Sequence, residues 1–150
     1  MLAALGRLLL NVKNQMMNRA EQNKTTVRRL YEEIIRFGKL EQLETIVDDE
    51  FTGIGPGKGA AAFAEAVREL RQGFPDLEWT VHDMLAEGDK VAIRWSWKGT
   101  HRGLFRGFPA SGKTVTNDAN VIYQFRGNKI IRSWLQSDRL GVLQQIGVIS

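Results

Sequence analysis

Cysteine is absent from the chain. Disulfides are therefore excluded, and so are thiolate metal sites; the absence fits a cytoplasmic protein. With histidine at only two separated positions and no clustered carboxylates, a metal centre of nitrogen and oxygen ligands also lacks its donors. There is no apolar run of the roughly 20 residues that a membrane-spanning helix needs. The longest candidate, Leu2 to Leu10, is broken by Gly6 and Arg7. A secretory signal would carry its positive charge ahead of the apolar stretch and small residues after it. Here Arg7 lies inside the stretch, and Asn11-Val12-Lys13-Asn14-Gln15 follows. A block of like charge is missing too. The net charge of +4 is dispersed, as in Val27-Arg28-Arg29-Leu30-Tyr31-Glu32-Glu33. A nucleic-acid surface would need a basic stripe set with aromatics, so nucleic acid is not an expected partner.

The 150 residues suit one domain with a single core. Residues 2–20 read as an added amphipathic helix, making 1–22 an N-terminal helical extension and 23–150 the domain proper. The extension is expected to pack on the body or on a partner subunit, with a membrane-surface role as the lesser alternative. Met17 offers a second start, which would make the first turns a product of gene annotation. Short polar side chains at 23–26 predict a helix start. Val27, Leu30, Tyr31, Ile34 and Ile35 then form a buried stripe up to Gly38. Further helices are predicted over 40–47 and 60–71, separated by the loop Gly53-Ile54-Gly55-Pro56-Gly57-Lys58-Gly59.

From Trp79 onward the period changes to two. Strands are predicted over 79–85, 91–98, 114–125 and 130–137, with turns at Glu87-Gly88-Asp89 and Arg126-Gly127-Asn128. In the second of these, Val91, Ile93, Trp95 and Trp97 share one face while Arg94 and Lys98 share the other. Asp138 is placed to cap a terminal helix over 139–146. Helices first and an antiparallel meander after make an α+β plan with a curved, one-sided sheet.

Several strings, in this order and spacing, resemble the SnoaL-like polyketide cyclase family of the nuclear transport factor 2-like superfamily. They are Leu30-Tyr31-Glu32-Glu33, Phe74-Pro75-Asp76-Leu77, Ala86-Glu87-Gly88-Asp89-Lys90-Val91, Gly99-Thr100-His101-Arg102-Gly103, Phe108-Pro109-Ala110-Ser111-Gly112-Lys113 and Asp138-Arg139-Leu140-Gly141. The likeness spans about residues 23 to 147. It implies a cone-shaped fold, a curved antiparallel sheet closed by helices over an apolar pocket, and a homodimer packed through the outer sheet face. It also implies an intramolecular aldol closure of a polyketide ester, in which a carboxylate or histidine moves a proton between carbon and oxygen. The family keeps polar or acidic groups at positions that correspond here to Ile54, Val121 and Leu135. All three are apolar, and a leucine cannot move a proton.

The remaining titratable candidates are His101, Asp118 and Asp138, with His82 a lesser one. His101 ends a strand at a mouth-like position, where it could act as a base or simply order the glycine-rich connection. Asp118 has the parity opposite to Val121 and Tyr123 and is expected to face outward. His82 is assigned to the face of Thr80 and Met84, opposite Trp79 and Val81. The loop at 53–59 fails the phosphate-loop pattern, because Thr52 occupies the first glycine position and Gly59 follows the lysine. Trp95, Trp97, Phe105, Tyr123, Phe125 and Trp134 are expected to line or floor a cavity, with Ile54, Val121 and Leu135 on its wall. Such a wall suits a flat, apolar ligand, up to a polycyclic one, and requires no cofactor. Three functions stay open: a binding protein for an apolar small molecule, an active cyclase, isomerase or hydratase using His101, Asp118 or Asp138, and a dimeric association module.

Overall fold

The period-two segments assemble into one sheet in the computed structural model, which describes all 150 residues. β1 spans Val47–Thr52, β2 Glu78–Glu87, β3 Lys90–Thr100, β4 Thr114–Arg126 and β5 Lys129–Ser137. β2 to β5 form an antiparallel meander, and β1 adds in parallel beside β5 to give the order β1-β5-β4-β3-β2. The sheet is thus mixed and does not close into a barrel. β1 is not among the strands that the period of two predicts. Its run of Asp48, Asp49 and Glu50 hides the alternation, and only Val47 and Phe51 insert fully into the core. Charge on a short edge strand also discourages pairing with another sheet.

Alternation decides what each strand offers. Trp95 and Trp97 of β3 and Asn117, Ala119, Val121 and Tyr123 of β4 turn inward, while Arg94, Lys98, Asp118, Asn120 and Ile122 turn out. Two irregularities interrupt this. In β2 the register shifts between Val81 and Asp83, so His82 becomes the extra residue of a bulge. Met84 therefore joins Trp79 and Val81 on the inner side rather than sharing a face with His82. In β5 the pairing skips Ile131, and Ser133 and Leu135 then point inward. Trp134, expected on the cavity wall, is 45% exposed on the outer face, because neighbours on a strand cannot both face in. Phe125 is buried in the core at the far end of β4, away from the cavity.

The helical layer covers the inner face. α1 runs unbroken over Leu2–Arg29 and passes into a π-helical stretch at Leu30–Ile35. No cap forms at 23–26. Thr25 and Thr26 instead bond back to the carbonyls of Glu21 and Gln22, at 3.0 and 3.2 Å, which satisfies their hydroxyls inside the helix. Residues 1–19 are exposed throughout, with Leu2, Leu5, Leu9, Val12 and Met16 open to solvent. No helix is long and apolar enough to cross a membrane. The π-helical stretch buries Leu30, Tyr31, Ile34 and Ile35 together, and full burial of an aliphatic side chain contributes about 1.5–3 kcal/mol. A 3₁₀ turn at Leu40–Thr45 replaces the helix predicted over 40–47. α2 spans Gly59–Gly73, and its Arg71 guanidinium donates to the carbonyls of Ile35 and Arg36, tying it to the end of the first helix. α3 spans Arg139–Gln145, and Asp138 Oδ1 accepts the Gly141 N–H at 2.8 Å as its cap.

Gly53 closes the joint between β1 and β5. Its φ is +125°, and a Cβ there would meet the backbone and hydroxyl of Ser133. Gly53→Ala is expected to lower stability by about 2 kcal/mol or more. Urea unfolding checks this, and an unchanged midpoint would mean the joint yields freely.

Candidate ligand cavity

Between the curved sheet and the helices lies a cavity of about 610 Å³. Trp95 and Trp97 of β3, Asn117, Val121 and Tyr123 of β4, and Leu135 of β5 form its sheet wall. Phe63, Ala66, Val67 and Leu70 of α2 form the opposite wall, and Tyr31 and Ile35 come from the π-helical stretch. Ile54, Phe105, Phe108, Val142 and Leu143 complete the apolar lining. The open side carries the charges: Glu69, half-buried, and the exposed Arg106 and Arg139.

Arg106 is held at this rim by a two-residue turn. Phe105 and Phe108 exchange backbone hydrogen bonds of 3.1 and 2.9 Å across it. Both central residues have positive φ, +49° at Arg106 and +81° at Gly107, the pattern of a tight hairpin turn. Glycine adopts this freely, whereas a side chain costs about 1–2 kcal/mol.

Polar atoms inside the cavity are few. The Tyr31 and Tyr123 hydroxyls meet at 2.6 Å, joining helix to sheet. Burial pushes both phenols above their ordinary range. For Tyr31 the neighbouring Tyr123 adds to that rise, while for Tyr123 the hydrogen bond from Tyr31 partly offsets it. Both therefore stay protonated at neutral pH and act as hydrogen-bond donors rather than bases. Asn117 Oδ1 and the indole nitrogens of Trp79 and Trp95 are buried without a hydrogen-bond partner. Glu69 is the sole carboxylate on the lining, no histidine borders it, and no group of three acidic or histidine side chains is placed to hold a metal ion.

The residues singled out in the sequence fall into two sets. Ile54, Trp95, Trp97, Phe105, Val121, Tyr123 and Leu135 border the cavity. His101, Asp118 and Asp138 do not. His101 is fully buried rather than at a mouth, because it turns in beneath Phe74, with ring centroids 5.3 Å apart. Its Nδ1 accepts the Ser111 N–H at 3.1 Å, which leaves the ring proton on Nε2. The histidine thereby fastens the connection between β3 and β4, whose Arg102 and Gly103 amides bond the Gly73 carbonyl at the end of α2. Asp118 stands exposed across from Ser96 on the outer face, and Asp138 is committed to its cap. His82 is exposed, with Nε2 2.7 Å from Ser96 Oγ. Tyr31, Asn117 and Glu69 were missed. Strand parity alone would have found Asn117, two residues from Ala119 and four from Val121. Tyr31 was read only as part of an apolar stripe.

The family pattern of the SnoaL-like polyketide cyclases matches residues 25–146. The chain belongs to this family. Among solved structures, a candidate polyketide cyclase from Acidithiobacillus ferrooxidans is 30% identical, covering 86% of this chain and 96% of that one with a TM-score of 0.74. A candidate SnoaL-like polyketide cyclase from Jannaschia sp. CCS1 is 25% identical over 87% of this chain and 95% of that one, with a TM-score of 0.77. TsrD from Streptomyces laurentii is likewise 25% identical, covering 88% and 97%, with a TM-score of 0.74. No curated protein matches the chain. The SnoaL-like assignment carries with it the nuclear transport factor 2-like fold, and the sheet and helices described above have that architecture.

Tyr31 and Tyr123 are the only tyrosines of this SnoaL-like protein. In an unfolded chain they would ionise near pH 10, and in the fold both resist. A folded-state pKa raised above the unfolded one gives stability that is complete below pH 10 and lost as the pH rises beyond it. Tyrosinate absorbance should therefore stay absent from the native protein at pH 10 and emerge together with unfolding at higher pH. Smooth titration at pH 10 without unfolding would contradict the buried pair.

Proposed function

We propose that this SnoaL-like protein binds a flat, apolar small molecule, up to a polycyclic one, and has lost the family's acid/base route. The observation that carries this reading is the identity of three wall residues. Ile54, Val121 and Leu135 stand where the family likeness calls for polar or acidic groups, and all three border the cavity. Aldol closure needs a group that takes a proton from carbon and returns it to oxygen. Aliphatic side chains cannot do so, and phenols held protonated by burial are poor substitutes. The volume, about 610 Å³, falls inside the range of about 300–1,000 Å³ typical of small-molecule sites. Binding of this kind requires no cofactor and no nucleic acid.

Cyclase, isomerase or hydratase activity through His101, Asp118 or Asp138 gains no support, since none of them reaches the cavity. Glu69, at the rim, is the one carboxylate of the lining. A second reading, homodimer formation, is favoured by one observation: Ile122 and Trp134 pair across β4 and β5 on the outer face, 41% and 45% exposed. A partner's sheet would cover them.

Thermal unfolding with a panel of flat hydrophobic compounds tests the binding role. A ligand at a hundred times its Kd should add about 2.7 kcal/mol of stability, and the protein should not turn over polyketide esters. Lack of stabilisation by every compound would reject binding, and turnover abolished by Glu69→Gln would reject the loss of acid/base chemistry.

A further inference from the structure

Apart from Trp79, Asn117, Ser137 and the charged rim, the polar groups of the cavity lining gather at one place, where an indole and two phenols converge. The Tyr31 and Tyr123 oxygens are 2.6 Å apart, and both residues are nearly fully buried. Each hydroxyl brings one hydrogen, and one hydrogen bond joins them. One O–H is therefore left over. Trp95, 5% exposed, packs beside Tyr31 with ring centroids 6.5 Å apart, and its buried indole N–H closes no hydrogen bond. An indole nitrogen only donates. With Tyr31 as the donor, Tyr123 on the sheet wall of the cavity keeps the spare hydrogen. One surplus donor, the Tyr123 O–H, thus belongs to the cavity lining, with the buried Trp95 N–H close by. A buried donor without a partner costs about 1–3 kcal/mol, and an acceptor oxygen on a ligand would remove that cost. Across from Tyr123 in β5 stands Ser133, whose buried hydroxyl makes no hydrogen bond, while Val121 and its partner Leu135 offer no acceptor.

We propose that the Tyr31–Tyr123 pair, with Trp95 beside it, is the polar anchor of the cavity and selects ligands carrying a ketone-type carbonyl oxygen over hydrocarbons of the same outline. The inference rests on the binding role proposed above and adds the chemistry of the ligand. It assigns Tyr123 as the residue that touches the carbonyl and Tyr31 as the residue that positions and polarises it.

The test uses a matched pair, 1-tetralone and tetralin, which differ only in one carbonyl in place of a methylene. Titration calorimetry gives the ratio of their affinities for the full chain, for Tyr123→Phe and for Tyr31→Phe. The wild-type protein should prefer 1-tetralone by roughly three- to tenfold, the value of one hydrogen bond. Tyr123→Phe should bring the ratio close to one, and Tyr31→Phe should reduce it in part. The infrared carbonyl stretch of bound 1-tetralone should lie lower in the wild type than in Tyr123→Phe, a shift that loss of packing alone would not produce. Equal affinities for the two compounds in the wild type, or a carbonyl band at its hydrocarbon-solvent frequency, would overturn the anchor while leaving apolar binding intact. Failure of both compounds to bind the wild type would overturn the anchor and the binding role together.

Discussion

A single sheet with one apolar face cannot stand in water, and everything in this fold answers that constraint. β3 and β4 turn two tryptophans, a tyrosine and several aliphatic residues to one side. The helices that shield them are hydrogen-bonded to the sheet and its loops at a few points, among them the Tyr31 hydroxyl against Tyr123, the Gln145 amide on the Thr116 backbone, and Gly73 against the β3–β4 connection. Because the sheet is curved and the helices are straight rods, the two layers meet at some places, Tyr31 and α3 on β4 among them, and leave a gap elsewhere. The cavity follows from this mismatch of shapes, and its apolar lining follows from strand alternation.

That alternation is also why much of the fold was legible. A period of two is local, and it placed Trp95, Trp97, Val121 and Tyr123 on one face and Asp118 on the other. The failures have local causes of a different kind. A bulge at His82 reversed the faces beyond it, and nothing in Thr80-Val81-His82-Asp83 announces an unpaired residue. β1 escaped notice because three acids fill its middle. The helix start at 23–26 was misplaced because threonine serves equally as a cap or as an interior residue that bonds to its own helix; tertiary context decides. Trp134 was assigned by size when the parity of Leu135 had already settled its direction.

The candidate site was less legible than the fold. Its walls follow from periodicity, but its polar feature depends on a contact between residues 92 positions apart. No spacing rule brings Tyr31 to Tyr123, since Tyr31 sits in a helical stripe that looks like ordinary core. His101 shows the opposite error. A histidine beside glycines suggested chemistry, yet its ring is stacked on Phe74 and hydrogen-bonded to Ser111, which makes it a fastener for the loop. Residue type is a weak guide to role until the partners of each nitrogen or oxygen are known.

The solvent-exposed start of α1 has a hydrodynamic consequence. Residues 1–19 form an exposed helical rod, close to 30 Å long at about 1.5 Å per residue, with the stretch from Leu9 to Met17 alongside the β2–β3 turn at Ala86–Gly88. A particle so asymmetric experiences more friction than a sphere of equal mass. Elution volume alone would therefore make a single chain look heavier than it is, and could pass one copy off as a pair; light scattering, which weighs molecules regardless of outline, is immune to that confusion.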